Sequence, residues 1–561
     1  MKKALLLFLL TLLCPLFALA EDFCVMDADS PGPVIATGLP IGAVSVWHEN
    51  RDQAYLFLPA NLDPQRLRVA LPEDESLIVN DIAIYNDDIT NLFIPGQTLS
   101  VTTSSGSYSL TVLQSSDIPA LFLSTASGES AFIHADKANR EPGELLMSMP
   151  DGAVVYDGAL EQLRIRGNTT SQYPKKPYQF KLAHKTALTG GDKGKSWALL
   201  ANYIDHSLLR NTVALTLAEA AGLSFVSECT PVDVYLNNEY MGSYLLCETV
   251  TIGSSRVDIA DLEDATEAVN RYPLEAYPSA PSDTLRIILD AWFIRSRWSP
   301  IRNTHEAIAL PNNPEDITGG YLLEIGIKRD WDEQLCRFVT NSGWPLVVKE
   351  PKYASVEQVT YIQSKFQQLD NALANPERGW EMLQGVANVD SFVRKYVLEE
   401  LLINFDGGTG SQYFYKDTDS RDPLIYCGPP WDYDNTLGVN STVCDPARFY
   451  VQTRTVAPAA LFPRLWKIPE FQEASMEVYW DVFRPLVDEL LGNAEGEHLT
   501  AITELADEIE DSAAMNFIRW PIAYAFHHQV RNTGNTWEEN IEDLLSFLEQ
   551  RVAFLDEAWA Q

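Results

Sequence analysis

Positive charge is scarce in this sequence: Lys plus Arg number 41 against 78 for Asp plus Glu, a formal net charge of -37 over 561 residues. Such a surface repels phosphate backbones and anionic lipids, which argues against nucleic acid as a partner and against electrostatic membrane docking. It leaves room for a small basic pocket inside an acidic shell. Past the N-terminus no apolar run approaches a membrane span, so no integral membrane association is expected. No C-x-x-C pair occurs, so neither a zinc ribbon nor a thioredoxin-type site is expected. The absence of H-E-x-x-H and G-x-S-x-G leaves protease and hydrolase readings with little support. What the chain does have is apolar substance, 46% of its residues with 11% aromatic, enough to build a large core and to exclude wholesale disorder. Its length suits roughly two to four folded units.

Lys2 and Lys3 precede an apolar run from Ala4 to Leu13, and Ala18-Leu19-Ala20 supplies a small-x-small cleavage pattern. This predicts a secretory signal over residues 1–20, a mature chain starting near Glu21, and a secreted, periplasmic or cell-surface address. A lipoprotein signal on Cys14 is the rival, disfavoured by Thr11 and by Pro15 after the cysteine. Six cysteines then remain, Cys24, Cys229, Cys247, Cys336, Cys427 and Cys444. In an oxidising compartment they allow up to three disulfides of undetermined pairing, or they are buried thiols.

From Phe23 to about Ile118 short β-like runs alternate with Pro, Gly, Asn and Asp, which predicts an immunoglobulin-like β-sandwich module over residues 21–118. The next block, 119–317, mixes strands (Leu163–Arg166, Tyr178–Leu182) with a helix built on Leu209, Val213 and Leu217. Asp205 or Ser207 is its expected cap and Gly222 its stop. A hairpin follows, turning at Asn237-Asn238. Residues 261–317 read as an irregular insertion or mobile loop. From 318 to 561 helical pattern dominates, with a helix capped by Asp390 running to Leu402. The expected fold class is therefore α+β, a β-rich half before a helical half.

The helical text is interrupted once, and the interruption is the most informative stretch. Asn404-Phe405-Asp406-Gly407-Gly408 ends a helix, two strand-like runs follow (Tyr413–Lys416, Leu424–Cys427), and Pro430-Trp431-Asp432-Tyr433-Asp434 closes it. Helix, Asp-bearing loop, two short strands and a further Asp is the order of a phosphoryl-transfer catalytic region. There one carboxylate orients the attacking hydroxyl and another holds the metal on the phosphates. Asp beside Gly also caps turns, and that reading of the same residues stands beside the first. Upstream, Arg164 to Lys181 places a polar loop (Arg166, Gly167, Asn168, Thr169, Thr170) and a basic cluster (Lys175, Lys176, Lys181) between two strands, a combination able to hold polyphosphate. A surface strand with scattered lysines is the alternative. Gly191-Asp192-Lys193-Gly194-Lys195-Ser196 is not a phosphate loop, since Thr189 stands where its first Gly is required. His527-His528 are adjacent, lack an acidic partner at helical spacing, and read as ordinary core or surface histidines.

These stretches together resemble the CotH-type atypical protein kinases. The resemblance rests on Arg166–Thr170 with Lys175–Tyr178, Leu199–Asp205 with Leu209–Asn211, the hairpin from Val232 to Glu248, Asn404–Asp406 with Ser411, Trp431–Asp434 with Gly438, and Gln550–Asp556. It covers roughly Ala120 to the C-terminus. It implies a divergent protein-kinase-like fold of two lobes that transfers the γ-phosphoryl of ATP, with Mg2+ or Mn2+, to Ser or Thr of a protein substrate with a Ser/Thr-rich segment. By position Lys181, or else Lys176, is the phosphate-binding lysine, with Arg166 and Asn168 in the nucleotide-binding loop. Asp406 is the catalytic carboxylate, and Asp432 or Asp434 is the principal metal ligand. Ser411 sits five residues after Asp406, where ordinary protein kinases carry an Asn on the second metal. Glu248 sits in the segment that meets adenine, and Glu219 is the uncertain helix partner of the lysine. Two other readings are a non-catalytic surface or adhesion protein on the same scaffold, and a carbohydrate-associated protein prompted by the sandwich and the 13 Trp.

Overall fold

The computed structural model describes residues 23–29, 38–72, 75–191, 193–280, 304–326, 334–454, 460–522 and 530–560. The expected signal segment, His527-His528 and the middle of the 261–317 segment lie outside the described residues. The protein is a mixed α+β chain.

Its first part is two sheets. A four-stranded sheet contains Cys24–Asp27 and Leu67–Ala70, and a six-stranded one contains Gln53–Leu58, Thr98–Thr103 and Gly106–Gln114. Alternation explains the packing: Leu99 and Val101, Leu110 and Val112, Leu67 and Val69 all point into one shared core. That core continues onto Phe122, Tyr235, Tyr240 and Met515, so the module is docked rather than tethered. The Tyr235 hydroxyl donates to the Phe57 carbonyl at 3.0 Å, and the Phe57 and Tyr240 rings lie 4.7 Å apart.

A closed seven-stranded barrel follows, in the order Ala120–Thr125, Glu141–Ser148, Val154–Ile165, Tyr178–Thr186, Gly194–Leu200, Glu239–Glu248, Cys229–Leu236. Ala120–Thr125 closes it by parallel pairing with the last strand. Leu163, Phe180, Trp197, Val234 and Leu246 fill the interior. Glu239–Glu248 is buried on nearly every residue because its outer face is covered too, in part by the Ile502–Arg519 helix. The hairpin turn is as its residues require, with Asn237 and Asn238 at φ 51° and 74°. The Arg210–Ala220 helix ends at Gly222 (φ +76°), but its start differs from expectation. Neither Asp205 nor Ser207 is the cap residue; Asp205 reaches forward to accept from the Arg210 amide at 2.8 Å while pairing with the Arg210 guanidinium.

The second part carries long helices, including Val356–Leu373, Val389–Leu401, Ile502–Arg519 and Trp537–Ala558, around a six-stranded sheet. Two of that sheet's strands, Tyr413–Lys416 and Ile425–Cys427, are the expected pair, whereas Tyr321–Ile325, Arg337–Val339 and Pro345–Glu350 were hidden in the sequence. Within the expected insertion, Asp261 caps a helix over Leu262–Val269, accepting from the Asp264 amide at 2.9 Å. The Val389–Leu401 helix is capped by Asn388, not by Asp390, which sits in its first turn. No helix among the described residues is long and apolar enough to cross a membrane.

Candidate active site

Between the barrel and the second part lies a cleft of about 470 Å³. Its barrel wall comes from Arg164, Arg166 and the loop Gly167–Thr170. Arg164 falls between the inward-facing Leu163 and Ile165, so it points outward, where it donates to the Gln179 side chain at 2.6 Å. Gly167 is at φ +86°, and a Cβ there would collide with the Thr170 hydroxyl, so only glycine permits this loop path. Lys137 donates to Asn168 Oδ1 at 3.1 Å, and the Arg166 guanidinium stacks on the Trp431 ring at 5.1 Å. On the opposite side, Lys349 pairs with Glu324 at 2.9 Å. Lys137, Arg164, Arg166 and Lys349 thus line one cleft of a strongly acidic protein.

The acidic wall is built by the interruption in the helical text. Ile403 at φ +47° breaks the chain out of the Val389–Leu401 helix. Asp406 is held by its main chain: its amide donates to Asn404 Oδ1 at 2.9 Å, and its carbonyl accepts from the Thr409 and Gly410 amides, both at 2.9 Å. Gly408 (φ +69°) is obligatory, since a Cβ would come within 2.7 Å of Phe462. Asp432 faces Ser411, whose hydroxyl donates to Asp432 Oδ2 at 2.9 Å, and both residues occupy the left-handed region (φ 46° and 72°). Asp434 completes the wall. Its carboxyl is pushed well above the usual range, first by burial, then by Asp432, Asp205 and Asp406, with Arg166 opposing.

A buried frame fixes these walls to each other. The Tyr433 hydroxyl donates to Glu399 at 2.8 Å and accepts from Lys395, and the Tyr433 amide donates to Asn211 Oδ1 at 2.8 Å. Arg210, fully buried with Asp205, donates to the Thr436 carbonyl at 3.1 Å. The first residues of the barrel-side helix therefore clamp the loop that carries Asp432 and Asp434.

Of the residues singled out from sequence, Arg166, Asn168, Asp406, Ser411, Asp432 and Asp434 line this one cleft, and Lys181, Lys176 and Glu248 do not. Lys181 sits two residues beyond the cleft-lining Gln179, about 7 Å further along the strand, where it pairs with Glu161 at 2.8 Å on an exposed face. Lys176 donates to the Ser171 carbonyl at 2.9 Å. Glu248 pairs with Arg256 and, with Glu219, lines a separate cavity of about 230 Å³. Sequence reasoning missed Lys137, Lys349, Glu324 and Tyr173 in the cleft. Arg164 was visible as the outward position of an alternating strand. The others stand in segments whose pattern carried no signal.

Among the described residues no group of three or more His, Cys, Asp or Glu is gathered to hold a metal alone. Magnesium does not demand one: it is usually held by one or two carboxylates together with waters and substrate phosphates. The donor set of Asp432 and Asp434, with the like-charge crowding felt by Asp434, fits that mode of binding.

Arginines on the barrel wall thus face three aspartates on the opposite wall of one cleft. Residues 163–555, well over half of the chain, match the family model described as CotH kinase protein, and the chain belongs to that family. No curated protein matches it.

Proposed function

We propose that this chain is an exported, metal-dependent protein kinase that passes the γ-phosphoryl group of ATP to Ser or Thr hydroxyls of a protein substrate. The barrel half and the helical half serve as the two lobes of a divergent kinase-like fold, and the leading two-sheet module is an immunoglobulin-like docking or spacer unit. One observation carries the reading: four cations and the carboxylates of Asp406, Asp432 and Asp434 converge on a single cleft. Arg164 and Arg166 face the polyphosphate, a part given by sequence to Lys181, and the Gly167–Thr170 loop supplies polar groups beside them. Tyr173, which also lines the cleft, offers aromatic surface for the base. Asp432 and Asp434 would hold the magnesium or manganese ion, which when bound neutralises phosphate charge. The acceptor hydroxyl oxygen attacks the γ-phosphorus as the bond to the β-phosphate oxygen breaks, ADP leaves, and the hydroxyl proton moves to Asp406. Positioning and charge neutralisation are most of what such a reaction asks of a protein.

The test is incubation of the full chain with ATP, Mg2+ or Mn2+ and a Ser/Thr-rich acceptor protein, with phosphosites read by mass spectrometry. Phosphorylated acceptor or autophosphorylated chain supports the reading. Nucleotide binding without transfer would assign the scaffold to a non-catalytic surface protein, and no binding at all would overturn the site.

A further inference from the structure

Cys229 and Cys247 lie opposite one another on the two antiparallel strands that end the barrel. One position further out, the Glu248 amide donates to the Glu228 carbonyl at 3.0 Å. Hydrogen-bonded and non-hydrogen-bonded pairs alternate along an antiparallel ladder, so Cys229 and Cys247 form a non-hydrogen-bonded pair. In such pairs the Cα atoms sit about 4.5 Å apart and the side chains come closest. That separation is within the roughly 4.4–6.8 Å that a disulfide requires. Both residues are thiols in the structure, with no disulfide bond between them.

Other cysteines have different company. The Cys336 thiol meets the carbonyls of Lys352 and Ala354 at 3.5 Å, Cys427 accepts from Gln412 at 3.3 Å, and Cys444 meets the Ser441 carbonyl at 3.5 Å. Access is open to Cys229, as it is to Cys444, but of these two only Cys229 has a second cysteine opposite it. Cys247 is fully buried, but Cys229 lines an open depression of about 270 Å³ whose walls include Glu219, Glu228, Thr189 and Thr216.

We propose that Cys229 and Cys247 are a redox site that closes to a cross-strand disulfide, entered at Cys229 from this depression by exchange with a small cationic disulfide. The Cys229 thiolate attacks one sulfur of the incoming disulfide, giving a mixed disulfide and releasing one thiol. Cys247 then attacks the Cys229 sulfur, its proton leaving with the second released thiol. Two protein thiols and one disulfide thus become one protein disulfide and two small thiols. The carboxylates of Glu219 and Glu228 favour a cationic reagent over an anionic one. The bridge would staple the base of the hairpin, and it is independent of the phosphoryl-transfer reading.

The test uses the full chain, reduced, desalted, and exposed to cystamine or to glutathione disulfide. Remaining thiols are then alkylated under denaturing conditions and the digest is mapped without reduction. The expected result is one peptide pair joined through Cys229 and Cys247, with alkylation retained at Cys24, Cys336, Cys427 and Cys444, and faster closure with cystamine. Cys247→Ala should stop at a mixed disulfide on Cys229, and Cys229→Ser should leave Cys247 unmodified. The closed wild type should melt several degrees higher than the reduced form, a shift missing from both variants. Alkylation of both residues after oxidation, a bridge to any other cysteine, or reaction of Cys247 in Cys229→Ser would overturn the proposal. Closure no faster with cystamine would remove the acidic depression as the way in.

Discussion

Replacing Asp406 by Asn changes one carboxylate oxygen to an amide and leaves its loop intact. The contacts that shape the loop run through its main chain, from the Asp406 amide to Asn404 and from the Thr409 and Gly410 amides to the Asp406 carbonyl. Folding should therefore be unaffected, and the melting temperature unchanged or slightly raised, because Asp406 is one of the carboxylates crowding Asp434. What the variant loses is the group that takes the acceptor proton. General-base assistance contributes about 10²–10⁴ in rate, which at roughly 1.4 kcal/mol per decade is about 3–5 kcal/mol of transition-state stabilisation. Relief of the charge on Asp434 leaves metal-dependent ATP affinity equal or tighter. The signature is a split: transfer to a Ser-rich acceptor, followed as single turnovers, falls by at least about a hundredfold while the calorimetric Kd for ATP holds. A fall of less than about tenfold, or parallel loss of rate and affinity, would refute the assignment of Asp406 as the proton acceptor.

Asp434→Asn should act in opposite directions on two properties: the metal-free protein becomes more thermostable as like charge is removed, while magnesium-dependent nucleotide binding weakens by more than the 10–100-fold usual for loss of an outer contact. Thermal shift with and without metal, beside ATP calorimetry, reads both, and destabilisation of the metal-free protein would contradict the crowding argument. Lys175 is buried on Asn516 (2.8 Å) and the Ser243 carbonyl, and burial brings its ammonium down to about 7 from the usual 10.5, with Asp233 opposing. Between those values the unfolded chain binds a proton that the folded chain lacks, so stability rises with pH across that window. Asp233 is pushed up by burial to about 6 from 3.8, so stability falls as pH climbs through its own window. Together they place a shallow stability minimum near pH 6–7, and Lys175→Met should erase the alkaline rise in urea titrations; an unchanged slope would refute it. Arg551→Met strands the buried Glu400, which loses a 2.8 Å ion pair, and should cost about 3–5 kcal/mol by urea unfolding, partly recovered by adding Glu400→Gln.

Where local chemistry decides conformation, the sequence was sufficient. Asn237-Asn238 turns because both residues tolerate positive φ, and the strands Tyr413–Lys416 and Ile425–Cys427 stand between turn signals. The aspartate wall of the cleft was legible for the same reason, being packed into a short stretch of punctuated text. The strands at Tyr321–Ile325 and Pro345–Glu350 were not, because both faces are covered and a continuously apolar run shows no alternation. Glu324 and Lys349 vanished with them. Lys181 stands outside the cleft lining for reasons of register: a strand shows which residues face outward, but not how far along it the cleft extends. Cys229 and Cys247 became a pair only once the ladder fixed which residues stand opposite.

The division of charge between the walls has a thermodynamic consequence. Arginines approach from the barrel and carboxylates from the helical half, so each potential ligand meets repulsion when it comes alone. A polyphosphate without its cation faces Asp406, Asp432 and Asp434, and a divalent ion without phosphate faces Arg164 and Arg166. With the nucleotide and metal of the proposed function, each would remove the charge that opposes the other, so their affinities should be coupled, reciprocally by linkage. The frame of Arg210, Asn211 and Tyr433 keeps the two walls at fixed separation, which prevents the aspartates from relaxing their repulsion by moving apart. Rigid placement of like charge is costly in the free protein and useful only if a bound cation later cancels it. In the proposed function a bound metal would cancel that charge, whereas turn capping alone needs neither the left-handed backbone at Ser411 and Asp432 nor three aspartates facing one space.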